Sequence, residues 1–399
     1  MSSEKIESAA VMNDAELAEA KHYGRLDLAC SLADKAVDLT YLGAMAWFFA
    51  GPLDVWLQRF SRLSDCWTLR LAAFFLILLA VHLAVSFPLS FYSGHVLEHR
   101  FRLSTQSFGR WFWRYVKRNL LAAALSLVLI VGLYWLIWTT GSTWWLVATL
   151  AFFLVSVVLG QLAPVLIVPL FYRVEPLDRP ELSERLARLA EGTGLSIEGV
   201  YRLDLSAETV KANAMLAGLG RTRRVLLGDT LLDGFTPDEV EVIFAHEIGH
   251  HVFRHMRWMI LSGLAFSAAG FWLCDRLLAA WTVHGGATLD YARLPIDALP
   301  MLLLILTVFG LAMQPLQNAV SRRFERQADR YALQRTGRKD AYRSAFCKLA
   351  RLNKDDPNPP RLEVFLFHSH PPVAERLAMA ETWGEETGKR EEERAEKIG

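Results

Sequence analysis

Residues 120–171 read LLAAALSLVLIVGLYWLIWTTGSTWWLVATLAFFLVSVVLGQLAPVLIVPLF, 52 positions without an Asp, Glu, Lys, Arg or His. The polar turn TGST divides the run into Leu120–Thr139 and Trp144–Phe171. Each half has the roughly 20 apolar residues that a helix needs to cross about 30 Å of hydrocarbon. Lipid offers no hydrogen bonds, so a single spanning segment must satisfy its own backbone, and a helix does that. The stretch therefore reads as a helical hairpin in a membrane.

Similar runs lie on both sides. Leu71–Tyr92, with only His82 as a titratable group, and Leu299–Val320 qualify, as does Trp258–Trp281, where Asp275 and Arg276 near the end must pair or lie at the interface. Leu39–Leu53 is shorter and contains Gly51 and Pro52. Together these make six spans. The alternative, buried core helices of a large soluble protein, fits poorly with four separate runs of this length. The chain of 399 residues is 53% apolar, and its net charge of +1 gives no field for nucleic acid. Cys30, Cys66, Cys274 and Cys347 are scattered without the paired spacing of a zinc or redox site, as in a reducing setting. Residues 1–35 are charged and lack the apolar core of a signal peptide.

The loop Gly94–Asn119 carries Arg100, Arg102, Arg110, Arg114, Lys117 and Arg118 against Glu98, which predicts a cytoplasmic position. The turn at Gly141 and the loop around Gly285 then lie outside, and both termini and residues 173–257 lie in the cytoplasm. Arg59, Arg62 and Arg70 in the first external loop run against this order. The division is a polar segment 1–35, membrane helices over 36–172, an insert over 173–257, two more membrane helices over 258–320, C-terminal catalytic helices over 321–380 and a charged tail over 381–399.

Within the insert, PLDRPELSERLARLAEGTGL predicts an amphipathic helix that starts at Pro180 and ends at Gly192–Gly194. SIEGVYRLDLS and RVLLGDTLL read as strands, and KANAMLAGLGRT as a turn-rich connection. FTPDEVEVIFAHEIGHHVFRHM then begins a helix, with Thr236 as N-cap, Pro237 at the first position and Glu239 three residues after the cap.

That helix carries an HExxH motif. His246 and His250 are four apart, so both imidazoles leave one face and can share an ion, while Glu247 can reach a water beside it. Zinc with one open position needs a third protein ligand. A histidine-type third ligand would fall at position 256, which is Met256; Phe253 stands where the accompanying glycine would be, and His255 is one residue out of register, as a polar residue at the membrane interface would be. The best remaining candidate is SRRFERQADRYA. Glu325 and Asp329 share a helix face there, one to bind zinc and the other to accept a hydrogen bond from a ligating histidine. A solvated charged helix is the alternative.

These residues resemble the type-one CAAX prenyl endopeptidases, integral-membrane zinc proteases with a glutamate third ligand. The resemblance runs through FYSGHVLEHRFRLSTQSFG, NAMLAGLGRTRRVLLGDTLL, AHEIGHHVFRH, SRRFERQAD and SHPPVAER, over roughly residues 20–380. It implies a mainly α, multi-pass membrane protein: about six transmembrane helices enclosing a chamber, and a small cytoplasmic α+β, zincin-like catalytic part. One zinc ion per chain would sit on His246, His250 and Glu325, with Glu247 as base and Asp329 behind a histidine. Asn213 and Ala214 would lie on an edge strand that pairs with an extended substrate, and His370 and Arg376 would approach the reacting carbonyl. Partners would be membrane lipid and a peptide or protein substrate, lipid-modified ones included, and no nucleic acid. Two features depart from the family: residues 1–35 are polar where it has a further span, and AETVKA has only Lys211 in place of a basic pair. A membrane quality-control zinc protease is the nearest alternative, and a receptor or carrier with structural zinc one of another class. The lean composition, without long inserted loops, favours a bacterial inner membrane.

Overall fold

The computed structural model describes residues 11–195, 199–217, 224–284 and 289–396. The expected external loop around Gly285 lies outside them. Helix α1 (Asp14–Ala44) starts at a capping box between Asn13 and Glu16 and continues through a π-turn, Met45–Phe49, to Leu57. Helices α2 (Trp67–Phe91), α3 (Phe108–Thr140) and α4 (Trp144–Leu162) follow. α3 and α4 form the expected hairpin, and Gly141 turns the chain at φ 59° and ψ −136°, a conformation open to glycine.

Among the described residues, four helical stretches are long and apolar enough to span a membrane: Trp67–Arg100, Phe108–Phe171 (the hairpin), His255–Trp281 and Ile296–Thr336. Leu39–Leu53 does not form one by itself; it is the apolar end of a mostly polar helix, with Trp47, Phe48 and Phe49 exposed. The spanning helices are apolar on their outer faces too: Val128 is 70% exposed, with Leu154, Leu166 and Trp258 also outward. In water such a surface would aggregate; in lipid it costs nothing. The inner faces pack around Phe74, Tyr134, Trp144, Leu278 and Leu302. Asp275 is fully buried there but satisfied, accepting from Trp144 Nε1 at 2.7 Å and Tyr291 Oη at 2.8 Å and pairing with Arg276.

The insert contains β1 (Val174–Pro176), α5 (Pro180–Ala190), β2 (Gly199–Leu203), β3 (Ala214–Ala217) and β4 (Arg224–Gly228), then α6 (Pro237–Val252). The sheet order is β1-β2-β4-β3, with β2 and β4 parallel and the outer pairs antiparallel. Two details differ from the sequence reading. RVLLGDTLL is strand only to Gly228, because Asp229 accepts from the backbone N–H of Leu205, Ser206 and Thr230 and starts a short helix. The stretch read as a connection holds β3, which depends on pairing with β4 rather than on its own alternation. Thr236 and Glu239 form the expected capping box at α6. The loop after α2 is tied to the insert: Val210 N–H donates to Leu103 O at 3.1 Å, and Lys211 Nζ lies 3.1 Å from Glu98. These two polar segments therefore share one side of the membrane.

Helices α7 (His255–His284), α8 (Leu299–Thr336), α9 (Lys339–Asn353), α10 (Arg361–Phe367) and α11 (Val373–Glu396) complete the chain. α8 has no break at residue 320; one helix carries the apolar run and SRRFERQADRYA together. A cavity of about 670 Å³ opens between α1, the end of α2, α3 and the 208–209 loop, lined by Asp27, Asp34, Glu98, Trp111, Arg114 and Glu208 among others.

Candidate metal centre

α6 and α8 bring the predicted ligands together because Gly249 lets them touch. A Cβ there would stand 2.9 Å from Ala328 Cα. Across this contact Glu325 Oε2 is 3.2 Å from His246 Nε2, Glu325 Oε1 is 3.4 Å from His250 Nε2, and the two Nε2 atoms are 3.1 Å apart. His246, His250 and Glu325 form a group that could hold a metal ion.

The hydrogen bonds around the cluster decide what it can accept. Asp329, fully buried, lies 2.8 Å from His246 Nδ1 and so takes its N–H. That leaves the Nε2 lone pair of a neutral imidazole facing inward. Among the described residues, Glu325 Oε2 is buried and accepts no hydrogen bond, although it lies 3.2 Å from His246 Nε2. Lone pairs from two imidazoles and a carboxylate thus point at one space, an arrangement that repels itself unless a cation lies between. Burial works against a charged His246, but Asp329 and then Glu325 outweigh it and raise its pKa to about 9, so the surroundings of this imidazole favour positive charge. The donor set fits a divalent metal that takes nitrogen and oxygen ligands.

Glu247 is half-buried beside these ligands and, among the described residues, forms no ion pair or hydrogen bond, so both its oxygens are free. His370 Nε2 is 3.6 Å from Glu325 Oε1, and Ser369 Oγ meets its Nδ1 at 3.0 Å. Its side chain is 63% exposed, yet the surrounding protein desolvates it and lowers its pKa, so it is neutral at pH 7. Arg376 has a different position from the one expected. It is buried over the Phe346 ring and binds Asp329 through Nε at 2.9 Å and through Nη2, on the outer side of His246. The neighbouring Glu375 pairs with Arg326. The Asn213 side chain is exposed, and its C=O accepts the Gly228 N–H at 2.9 Å, extending the ladder of β3, an edge strand that contacts α6.

Sequence reasoning missed two residues that shape the site. Asn318 Nδ2 donates to Leu366 O at 2.8 Å, and Arg322 Nη1 donates to Val364 O at 2.8 Å and His368 O at 2.6 Å. They hold the segment that leads to His370. Their signal was available: 318, 322, 325 and 329 follow helical spacing, and all four side chains are buried polar groups on one face of α8.

Comparison with known proteins gives the family. Residues 176–384 match peptidase family M48. The chain belongs to this family. Residues 5–173 match the CAAX prenyl protease N-terminal family, described as five membrane helices. This M48 peptidase is 31% identical over 315 residues to the uncharacterized metalloprotease YhfN of Bacillus subtilis, covering 78% of this chain and 74% of that one. It is 30% identical to CAAX prenyl protease 1 of Saccharomyces cerevisiae, and equally to the homolog from Arabidopsis thaliana, over 73% of this chain and 68% of each relative. The crystal structure of S. mikatae Ste24p shares the fold with a TM-score of 0.82, covering 93% of this chain and 90% of that one at 24% identity. The chain is a multi-pass integral-membrane metallopeptidase like the CAAX prenyl proteases.

Proposed function

We propose that this metallopeptidase is a zinc endopeptidase, with one zinc ion per chain on His246, His250 and Glu325, that cuts peptide bonds at the cytoplasmic face of the membrane. The observation that carries the reading is the convergence of three lone-pair donors on one space, with the free carboxylate of Glu247 beside it. What zinc supplies when bound is Lewis acidity, which makes water a nucleophile near neutral pH. Glu247 takes the proton of the attacking water and returns it to the leaving amine. Neutral His370 donates a hydrogen bond to the carbonyl oxygen as it gains charge. Asp329, clamped by Arg376, keeps the His246 lone pair inward, so Arg376 acts through Asp329. An extended substrate adds to the edge of β3 beside Asn213 and Ala214, which orients it through backbone hydrogen bonds alone.

The CAAX prenyl protease relatives support peptide or protein substrates, and their names are the ground for including lipid-modified ones in this reading. The basic loop 94–119 supports a cytoplasmic position for the insert bonded to it. Glu247→Gln tests the central claim: it keeps the volume and loses the base. It should abolish peptide cleavage in detergent while zinc stays bound, and native-like cleavage would remove Glu247 from its role. Mass spectrometry of proteins accumulating with that variant in native membranes then separates processed lipid-modified chains from damaged membrane proteins. A single cysteine near Gly141 should react with impermeant reagents from outside and cysteines at 100–118 should not; the reverse pattern would invert the orientation.

A further inference from the structure

His255 has no part in the chemistry above, yet it is only 1% exposed and touches a ligand. It follows a break in the helix. α6 ends at Val252, Arg254 takes the left-handed conformation at φ 57°, and α7 begins at His255. On one continuous helix a side chain five residues after His250 would lie about 140° around the axis, out of reach. The break folds it back, so that His255 Nδ1 lies 3.0 Å from His250 Nδ1. Its other nitrogen, Nε2, lies 2.9 Å from Gln327 Oε1. The ring is stacked on Phe324 at 4.2 Å and 12° between planes, so it cannot turn freely.

We infer that His255 is a positioning residue: it accepts the Nδ1–H of His250 and thereby fixes the tautomer whose Nε2 lone pair faces Glu325 and His246. Only one proton order is consistent with a ligating His250. His255 Nε2–H donates to Gln327 Oε1, the His255 Nδ1 lone pair accepts from His250 Nδ1–H, and His250 Nε2 is left bare. The opposite order would put a hydrogen on His250 Nε2, pointing into the cluster. The two imidazole ligands are thus held in parallel by residues of α8, His246 directly by Asp329 and His250 through His255 by Gln327. Glu325 lies on the same short stretch of that helix, so one segment supplies a ligand and the supports of the other two.

The inference rests on the metal reading, and its test separates the two. Zinc affinity of the full-length chain in detergent is measured by competition with a chromophoric chelator, for the native chain and for His255→Phe, His255→Asn and Gln327→Leu. His255→Phe keeps a ring on Phe324 and removes both nitrogens; it should weaken zinc by about 10–100-fold, the usual size of a lost outer hydrogen bond. His255→Asn offers an oxygen near the position of Nδ1 and should return affinity to within about threefold of native. The cobalt(II)-loaded form should show an altered visible spectrum for Phe and a native-like one for Asn. Gln327→Leu, which leaves both histidines, should weaken zinc by about tenfold and carries the test if His255→Phe does not fold. Native affinity in His255→Phe, or in Gln327→Leu where that variant stands in, returns His255 to a packing role and overturns the inference alone. Equal weakening by Phe and Asn does the same, because the acceptor would not be the cause. A native chain that binds no zinc overturns the metal reading and the inference with it.

Discussion

Replacing Gly249 by alanine adds one methyl group at the closest approach of α6 and α8, and the structure sets the size of the effect. The new Cβ would meet Ala328 Cα at 2.9 Å, Ala328 Cβ at 3.2 Å and Ala328 O at 3.3 Å. The nearest of these is backbone, about half an ångström inside ordinary van der Waals contact, so it cannot swing aside and the helices must separate. In a helix interior, alanine gains about 1 kcal/mol over glycine from propensity. Overpacking costs about 1–3 kcal/mol, so the net change in stability is small or moderately unfavourable. The proposed metal centre is less tolerant. Ligand distances hold to within about 0.2 Å, whereas His246 and His250 ride on one helix and Glu325 on the other. Gly249→Ala should therefore lose metal affinity by at least about tenfold, and activity with it, while the melting temperature of the metal-free chain stays level or falls by only a few degrees. Chelator competition and a thermal melt of the metal-free form measure the two effects separately. Adding Ala328→Gly should restore little, since the 2.9 Å contact is with Cα. Native metal affinity in Gly249→Ala would refute the claim that this contact sets the geometry of the centre.

Glu325→Ala should abolish tight metal binding, because two imidazoles alone under-coordinate the ion; about one metal per chain by elemental analysis would assign the third ligand elsewhere. His370→Ala should lower kcat by roughly 10²–10³-fold with KM and metal content nearly unchanged, as for loss of a donor that acts in the transition state; a raised KM at constant kcat would make it a substrate-binding residue. Glu239 tests the capping box through pH. Burial alone would raise its carboxyl pKa, but Lys348, Ser344 and the Thr236 N–H outweigh that and lower it from 4.5. Its contribution is therefore full above pH 4.5 and is lost as pH falls through the lowered value; Glu239→Gln should reduce the acid sensitivity of the melting temperature in that range, and an unchanged pH profile would count against the network.

The membrane helices could be read from sequence because the solvent imposes them: a long apolar run in lipid must be a helix whatever it packs against. Local rules also sufficed for the capping box at Thr236 and Glu239 and for the placing of His246 and His250 on one face, since each depends on residues three or four apart. Glu325 and Asp329 were legible as a pair on one face, but their partner was not. His246 and Asp329 are 83 residues apart, and Arg376 and His246 are 130 apart. No periodicity encodes such distances, and Arg376 accordingly went to Asp329 rather than to the reacting carbonyl. The β3 strand escaped the local reading for the same reason, because its neighbour β4 makes it a strand. His255 shows the limit most clearly. Counted along a helix it fell outside every motif, and only a left-handed Arg254 and the packing of Phe324 and Gln327 on α8 turned it onto His250. Sequence by itself determined the solvent, the helices and which residue types are on hand to hold a metal. Tertiary structure decided which side chains meet, because contacts between distant segments depend on how the helices cross and not on their spacing.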